Sequence, residues 1–145
     1  MMETTKSSIR TLSCVLLGTV LAAGCSGARE DVRISFCKQL VMTQVDDPGT
    51  VRWNQVKTNP QRYSGLSVVL GFEADGNEHP RQAVCHYRYN AVEDTALMLS
   101  DPLSAYATSP ETMTIDGEPL PRPVLAKAVK AAMIQQGKAF IDRMR

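Results

Sequence analysis

Cysteine and histidine are the side chains of this 145-residue chain most able to carry chemistry, and their number and spacing decide which chemistry. A metal ion needs several His, Cys or carboxylate ligands that converge on one point, and the only histidines are His79 and His86. The stretch Asp75-Gly76-Asn77-Glu78-His79 gathers oxygen and nitrogen donors. It lacks the twelve-residue calcium pattern with its closing bidentate Glu, so an ordinary polar turn is the expectation. Serine catalysis needs a frame such as G-x-S-x-G or S-x-x-K, and the expectation is that the mature chain contains neither; Ser64-Gly65 reads as a turn. Gly71 and Gly76 are not followed by the Lys and Ser or Thr of a phosphate loop. Glu73, Asp75, Glu93 and Asp94 could in principle form a glycosidase pair, but surface solvation accounts for them more simply. Trp53, Tyr63, Phe72, Tyr87, Tyr89 and Tyr106 could line a groove for a glycan or peptide, although most fall on expected core faces. The methionines at 42, 98, 113, 133 and 144 show no copper-binding cluster and read as gap-fillers. No cofactor and no metal are expected.

The bulk composition narrows the partners. Sixteen Lys and Arg against fifteen Asp and Glu give a net charge of +1, with no broad basic field for nucleic acid. At 43% hydrophobic residues, this length suits one globular domain.

The N-terminus reads as an export signal. Lys6 and Arg10 precede the apolar run Thr11 to Leu21, which is shorter than the ~20 residues that cross a bilayer and closes on small residues. At Ala22-Ala23-Gly24-Cys25 the chain resembles the lipobox of bacterial lipoproteins, with Ala22 where that family prefers Leu. The resemblance covers only this segment. It implies a signal peptide over 1–24, a diacylglycerol on the Cys25 thiol, and attachment to a membrane through that lipid. Ser26, in place of the Asp that marks inner-membrane retention in enteric bacteria, implies outer-membrane sorting with the domain facing the periplasm. Ordinary signal cleavage would also begin the mature chain at Cys25, but it would leave an unpaired reactive thiol there. Removing Lys6, Arg10 and Glu3 leaves 14 basic and 14 acidic residues, a neutral mature chain.

Cys14 leaves with the signal and Cys25 is the lipid site, so Cys37 and Cys85 remain for one disulfide. Their separation of 48 residues is too wide for a CxxC redox or zinc motif. Closing so long a loop is worth about 4 kcal/mol on the chain-entropy account. A redox-active or metal-binding pair is the alternative, but His86 falls on the opposite face from Cys85 if that segment is a strand.

These residues must be positioned by a single domain over 31–145, joined to Cys25 by a tether over 25–30. Ile34, Cys37, Leu40 and Val41 recur at helical spacing between Asp31 and Val45, and Pro48-Gly49 stops the pattern. Strands are expected over Val51 to Val56, Leu66 to Glu73 and Gln82 to Tyr89, with a short fourth over Ala96 to Leu99. Leu66, Val68, Leu70 and Phe72 alternate onto one face, as do Ala83, Cys85, Tyr87 and Tyr89. The eight residues Ala74 to Arg81 would connect them in an antiparallel hairpin. Met113 to Ile115 leads into the turn Asp116-Gly117. After Pro121 and Pro123 a last helix carries the stripe Leu125, Val129, Ala132, Met133, Gln136, Phe140 and Met144, expected to pack across the sheet.

The fold expectation is therefore α+β: a small antiparallel sheet of three or four strands against an N-terminal and a C-terminal helix. The functional expectation is a non-enzymatic, membrane-anchored envelope lipoprotein, an accessory or interaction module with a protein partner in the envelope. The alternative is a small envelope hydrolase, or an inhibitor of one.

Overall fold

The computed structural model describes residues 29–90 and 101–145. The signal segment, Cys25 and the strand expected over Ala96 to Leu99 lie outside the described residues.

Asp31 opens the first helix, α1 (Val32–Met42), its carboxylate accepting the Arg33 N–H at 2.8 Å and satisfying one of the amides a helix start leaves free. Phe36, Cys37, Leu40 and Val41 share one side of the helix and are buried. The helix ends at Thr43, short of the Pro48-Gly49 stop. There the Thr43 hydroxyl donates to the Leu40 carbonyl at 2.7 Å while its N–H reaches the carbonyls of the last turn. Pro48–Thr50 instead form a separate 3-10 turn.

Five antiparallel strands follow in sheet order β1-β2-β3-β4-β5: β1 (Arg52–Pro60), β2 (Leu66–Ala74), β3 (Asn77–Tyr87), β4 (Thr112–Ile115) and β5 (Glu118–Pro119). With α1 and the C-terminal helix α2 (Arg122–Arg143), they make a small α+β fold. Five strands occur among the described residues, where three or four were expected. The unexpected pair, β4 and β5, is joined by Asp116 and Gly117 at φ of 52° and 82°, and Asp75 and Gly76 join β2 to β3 in the same way at 59° and 68°. Positive φ at both central residues is what a two-residue hairpin turn demands, because its twist then matches the strands. Asp75-Gly76 therefore closes the β2–β3 hairpin by itself, and β3 begins at Asn77, where an eight-residue connection was expected. Pro80 sits within β3 at a register irregularity beyond the reach of β4, where a missing N–H removes little from the ladder. At the second turn the Asp116 carboxylate accepts from the Gln82 N–H and the Arg81 guanidinium, each at 2.9 Å. Burial would raise this carboxyl, but the two donors outweigh it and hold Asp116 below the ordinary value.

One sheet face carries Leu66, Val68, Leu70 and Phe72 from β2, Ala83, Cys85 and Tyr87 from β3, and Met113 from β4, all buried. This is the alternation expected for the middle pair. Cys37 of α1 is bonded to Cys85 of β3, with Cα atoms 6.0 Å apart. The bond ties the first helix to the centre of the sheet.

α2 corrects the expectation that its whole stripe packs across the sheet. Leu125, Ala128 and Ala132 are buried, whereas Met133, Phe140 and Met144 are 54%, 57% and 66% exposed. The helix is about 33 Å long at 1.5 Å per residue, and β4, the strand it packs on, spans only about 13 Å. Beyond β4 the sheet face is already taken by α1. Among the described residues, the distal half of α2 lines an open groove with Val32, Ser35 and Gln39 of α1.

Candidate functional site

Of the residues singled out as possible catalysts, Asp75 is held by structural contacts, and Glu93 and Asp94 lie outside the described residues. The Asp75 carboxylate accepts the Asp47 N–H at 2.9 Å, and the Asp75 N–H donates to the Thr50 hydroxyl at 2.8 Å, so this side chain ties the hairpin turn to the loop after α1. The His79 N–H donates to the Asn77 side chain, and no hydrogen bond joins His79 to Asp75 among the described residues. Glu73 and Glu78 border an open depression together with Arg52 and the turn residues. No group of three His, Cys, Asp or Glu able to hold a metal occurs among the described residues.

Two arrangements escaped the motif reading. An S-x-x-K match does occur, at Ser35-Phe36-Cys37-Lys38, and corrects the expectation that this frame has no place here. Both polar tips turn to Glu30: the Ser35 hydroxyl donates at 3.0 Å, and Lys38 forms an ion pair with the same carboxylate. Serine and lysine serve as clamps on the chain entering α1. The second arrangement is Ser67 and His86, cross-strand partners on the face opposite the core, with Oγ and Nδ1 3.3 Å apart. The far side of the imidazole lies against Gly65, where an added Cβ would stand 2.8 Å from Cε1 and Nε2. A base used in catalysis is oriented by a third group, and no described residue hydrogen-bonds that side of His86. Only the β2–β3 register, not any local motif, brings this pair together.

The aromatic set divides in two. Phe72 and Tyr87 are core residues, and Trp53 packs on Phe72 with the Lys38 ammonium 5.6 Å from its ring centre. Tyr63, Tyr89 and Tyr106 instead form an edge-to-face series, with centroids 5.1 Å and 5.8 Å apart, running from the core to the surface. Tyr106 is buried, Tyr89 half-buried, and Tyr63 is 77% exposed. Beside it Arg62 takes φ of 46°, a left-handed conformation that costs a non-glycine residue energy, within the 3-10 turn Arg62–Ser64 that joins β1 to β2. Arg62, Tyr63, Tyr89, Pro102, Ala105 and Tyr106 line a shallow groove of about 380 Å³.

This groove is held from beneath by a buried arginine that periodicity did not mark. Arg33, 3% exposed, projects from the first turn of α1 and donates to the Tyr106 carbonyl at 2.6 Å and the Ala107 carbonyl at 3.1 Å. Asp31, 3.1 Å away, offsets its charge. The Tyr87 hydroxyl donates to the Arg33 carbonyl at 2.7 Å, closing the cluster. Burial pushes the Tyr87 phenol well above its ordinary value, against the pull of the Arg33 charge, while Asp31 adds to the rise. Tyr106 is positioned further by the bridge between Tyr89 and Tyr106 and by the Asn90 N–H to the Ala105 carbonyl. Arg88 and Glu111 pair in solvent at a separate depression bordered by Arg122 and Leu125 of α2; the arginine holds the Glu111 carboxyl below its usual range, and the carboxylate raises Arg88. The tyrosine groove offers flat aromatic edges, a guanidinium and backbone groups. Such groups suit contact with planar or apolar side chains.

Compared with known proteins, the chain matches no protein-family model, no curated protein and no solved structure. Among the described residues no helix is long and apolar enough to cross a membrane.

Proposed function

We propose that this chain is an exported lipoprotein, anchored through a lipid on Cys25 in the outer membrane with its domain facing the periplasm. In this reading it acts without catalysis, as an envelope interaction module that holds a protein partner at the Tyr63 surface. The observation that carries the reading is Tyr63 itself: a large side chain 77% exposed, braced edge-on by Tyr89 and set beside Arg62. Tyrosine and arginine dominate the energetics of protein interfaces, because each offers much contact area at small conformational cost once braced. The Cys37–Cys85 bond supports the compartment, since such bonds persist in oxidising surroundings.

Two measurements test it. Cys25→Ser should abolish acylation and leave the precursor unprocessed; unchanged membrane attachment and processing would reject the anchor. A photo-crosslinking amino acid in place of Tyr63 should give one discrete adduct in intact cells, and the same group in place of exposed Lys57 on β1 should give none. Equal labelling at both positions, or turnover of an envelope polymer by the purified protein, would reject the interaction module and favour the hydrolase.

A further inference from the structure

The distal half of α2 carries a second apolar side that the fold does not use. At about 100° per residue, Met133, Ile134, Gly137, Phe140, Ile141 and Met144 fall within an arc of about 120°, turned away from the buried Leu125, Ala128 and Ala132. The five side chains on this arc are between 50% and 66% exposed. Lys138 and Arg145 border the arc on one flank with Asp142 beyond them, and exposed Lys130 stands in line with the arc one turn before Met133.

Charge is segregated in the same place. From Arg122 to Arg145 there are six basic residues against Asp142 alone, a net charge of +5. From Cys25 to Pro121 there are eight basic against thirteen acidic, a net charge of −5. The neutrality of the mature chain conceals a basic helix on an acidic body.

The position of this side relative to the chain's entry point is equally specific. Glu30 is pinned to α1 by Ser35 and Lys38, so only the five steps from Cys25 to Glu30 separate the lipobox cysteine from the folded domain, a reach of at most about 18 Å. Val32, the first residue of α1, lines one groove with Phe140 and Arg143 of α2. The end of the domain nearest Cys25 is therefore the end where the apolar arc and the basic flank are exposed.

We propose that this side of α2 lies on an anionic lipid surface, that of the membrane holding Cys25; the proposal rests on the lipid-anchor reading above. The apolar side chains enter the headgroup boundary, while the lysines and arginines extend to the lipid phosphates. A second copy is a poorer occupant, because it would set two helices of charge +5 against each other. A basic residue near an anionic surface strengthens association by about 1 kcal/mol, roughly fivefold. The flank thus converts a tethered domain into a docked one.

The test uses the mature chain purified from membranes and reconstituted into vesicles of phosphatidylcholine, alone or mixed with phosphatidylglycerol, with bromine on the acyl chains as a contact quencher. Phe140→Trp adds an indole on the arc, and Trp53 of the unaltered chain supplies the baseline. Quenching in the mixed vesicles should rise several-fold over that baseline, and Lys138→Gln should lower the ratio of docked to undocked chain by about fivefold. An acylated chain whose added indole is quenched no more than Trp53 overturns the proposal alone. So does an α2-to-α2 cross-link between copies in place of quenching. An N-terminal peptide without acyl mass overturns the anchor and the proposal together.

Discussion

α1 and the distal half of α2 lie side by side and carry apolar residues at helical spacing, yet they end in opposite environments. α1 buries Phe36, Cys37, Leu40 and Val41, each 3% exposed or less, and is fastened by the disulfide and by the Tyr87 hydroxyl. The distal half of α2 leaves Met133, Ile134, Phe140, Ile141 and Met144 at least half exposed. The difference lies in which helix holds the sheet. Once α1 is bonded to β3 it covers the inner faces of β2 and β3, and α2 is left with β4 and a strip beside α1. Apolar spacing shows that a helix has a side to cover. It does not show what covers it.

Breaking the fastening of α1 should have the largest effect. Cys37→Ser or Cys85→Ser should cost about 2–5 kcal/mol, read as a lowered denaturation midpoint that reductant reproduces in the unaltered protein. Leu40→Ala, in the fully buried side of α1, should cost about 2–5 kcal/mol through lost burial and the cavity left behind. If either change proved neutral in denaturant titration, α1 would not be the element that organises the sheet.

Smaller changes sharpen the contrast. Tyr87→Phe keeps the ring but removes the hydroxyl's bond to the buried Arg33 carbonyl, which keeps its helical partner, and chemical denaturation should register a loss of about 0.5–1.5 kcal/mol. The Asp116 turn lies apart from both helices and provides a pH-dependent reference. Its carboxyl is held below the ordinary value, so its contribution is present above the ordinary Asp pKa of 3.8 and is lost as pH falls through the lower folded value. Asp116→Asn should therefore cost less than about 1 kcal/mol at neutral pH, with the difference from the unaltered protein vanishing in acid. Phe140→Ala in lipid-free buffer should change stability by no more than about 0.5 kcal/mol, as expected for an exposed site. A cost there as large as that of Leu40→Ala would mean that the distal half of α2 is packed against protein after all.

Much of this organisation was legible in the chain because it rests on local chemistry. Alternation of apolar residues is a property of one strand at a time, so Leu66 to Phe72 and Ala83 to Tyr87 declared their buried face. Asp31 marked the start of α1, and the pairing of Cys37 with Cys85 followed from counting the cysteines and from the faces they occupy. Asp75-Gly76 was legible as well. It is a strong short hairpin signal, although the expected connection ran over eight residues.

What the tertiary structure alone decided depends on residues far apart in sequence. Arg33 reads as a surface residue of an amphipathic helix and becomes buried because the carbonyls of Tyr106 and Ala107, more than seventy positions away, come within its reach. Tyr63 becomes an exposed anchor because Tyr89 and Tyr106 meet beside it, and Ser67 meets His86 through the register of two strands. The stripe on α2 divides because α1 occupies the part of the sheet it would otherwise cover. Spacing along the chain determines which side of an element is apolar. Competition among elements for one sheet face determines which of those sides stays exposed, and that competition is settled only when the whole chain has packed.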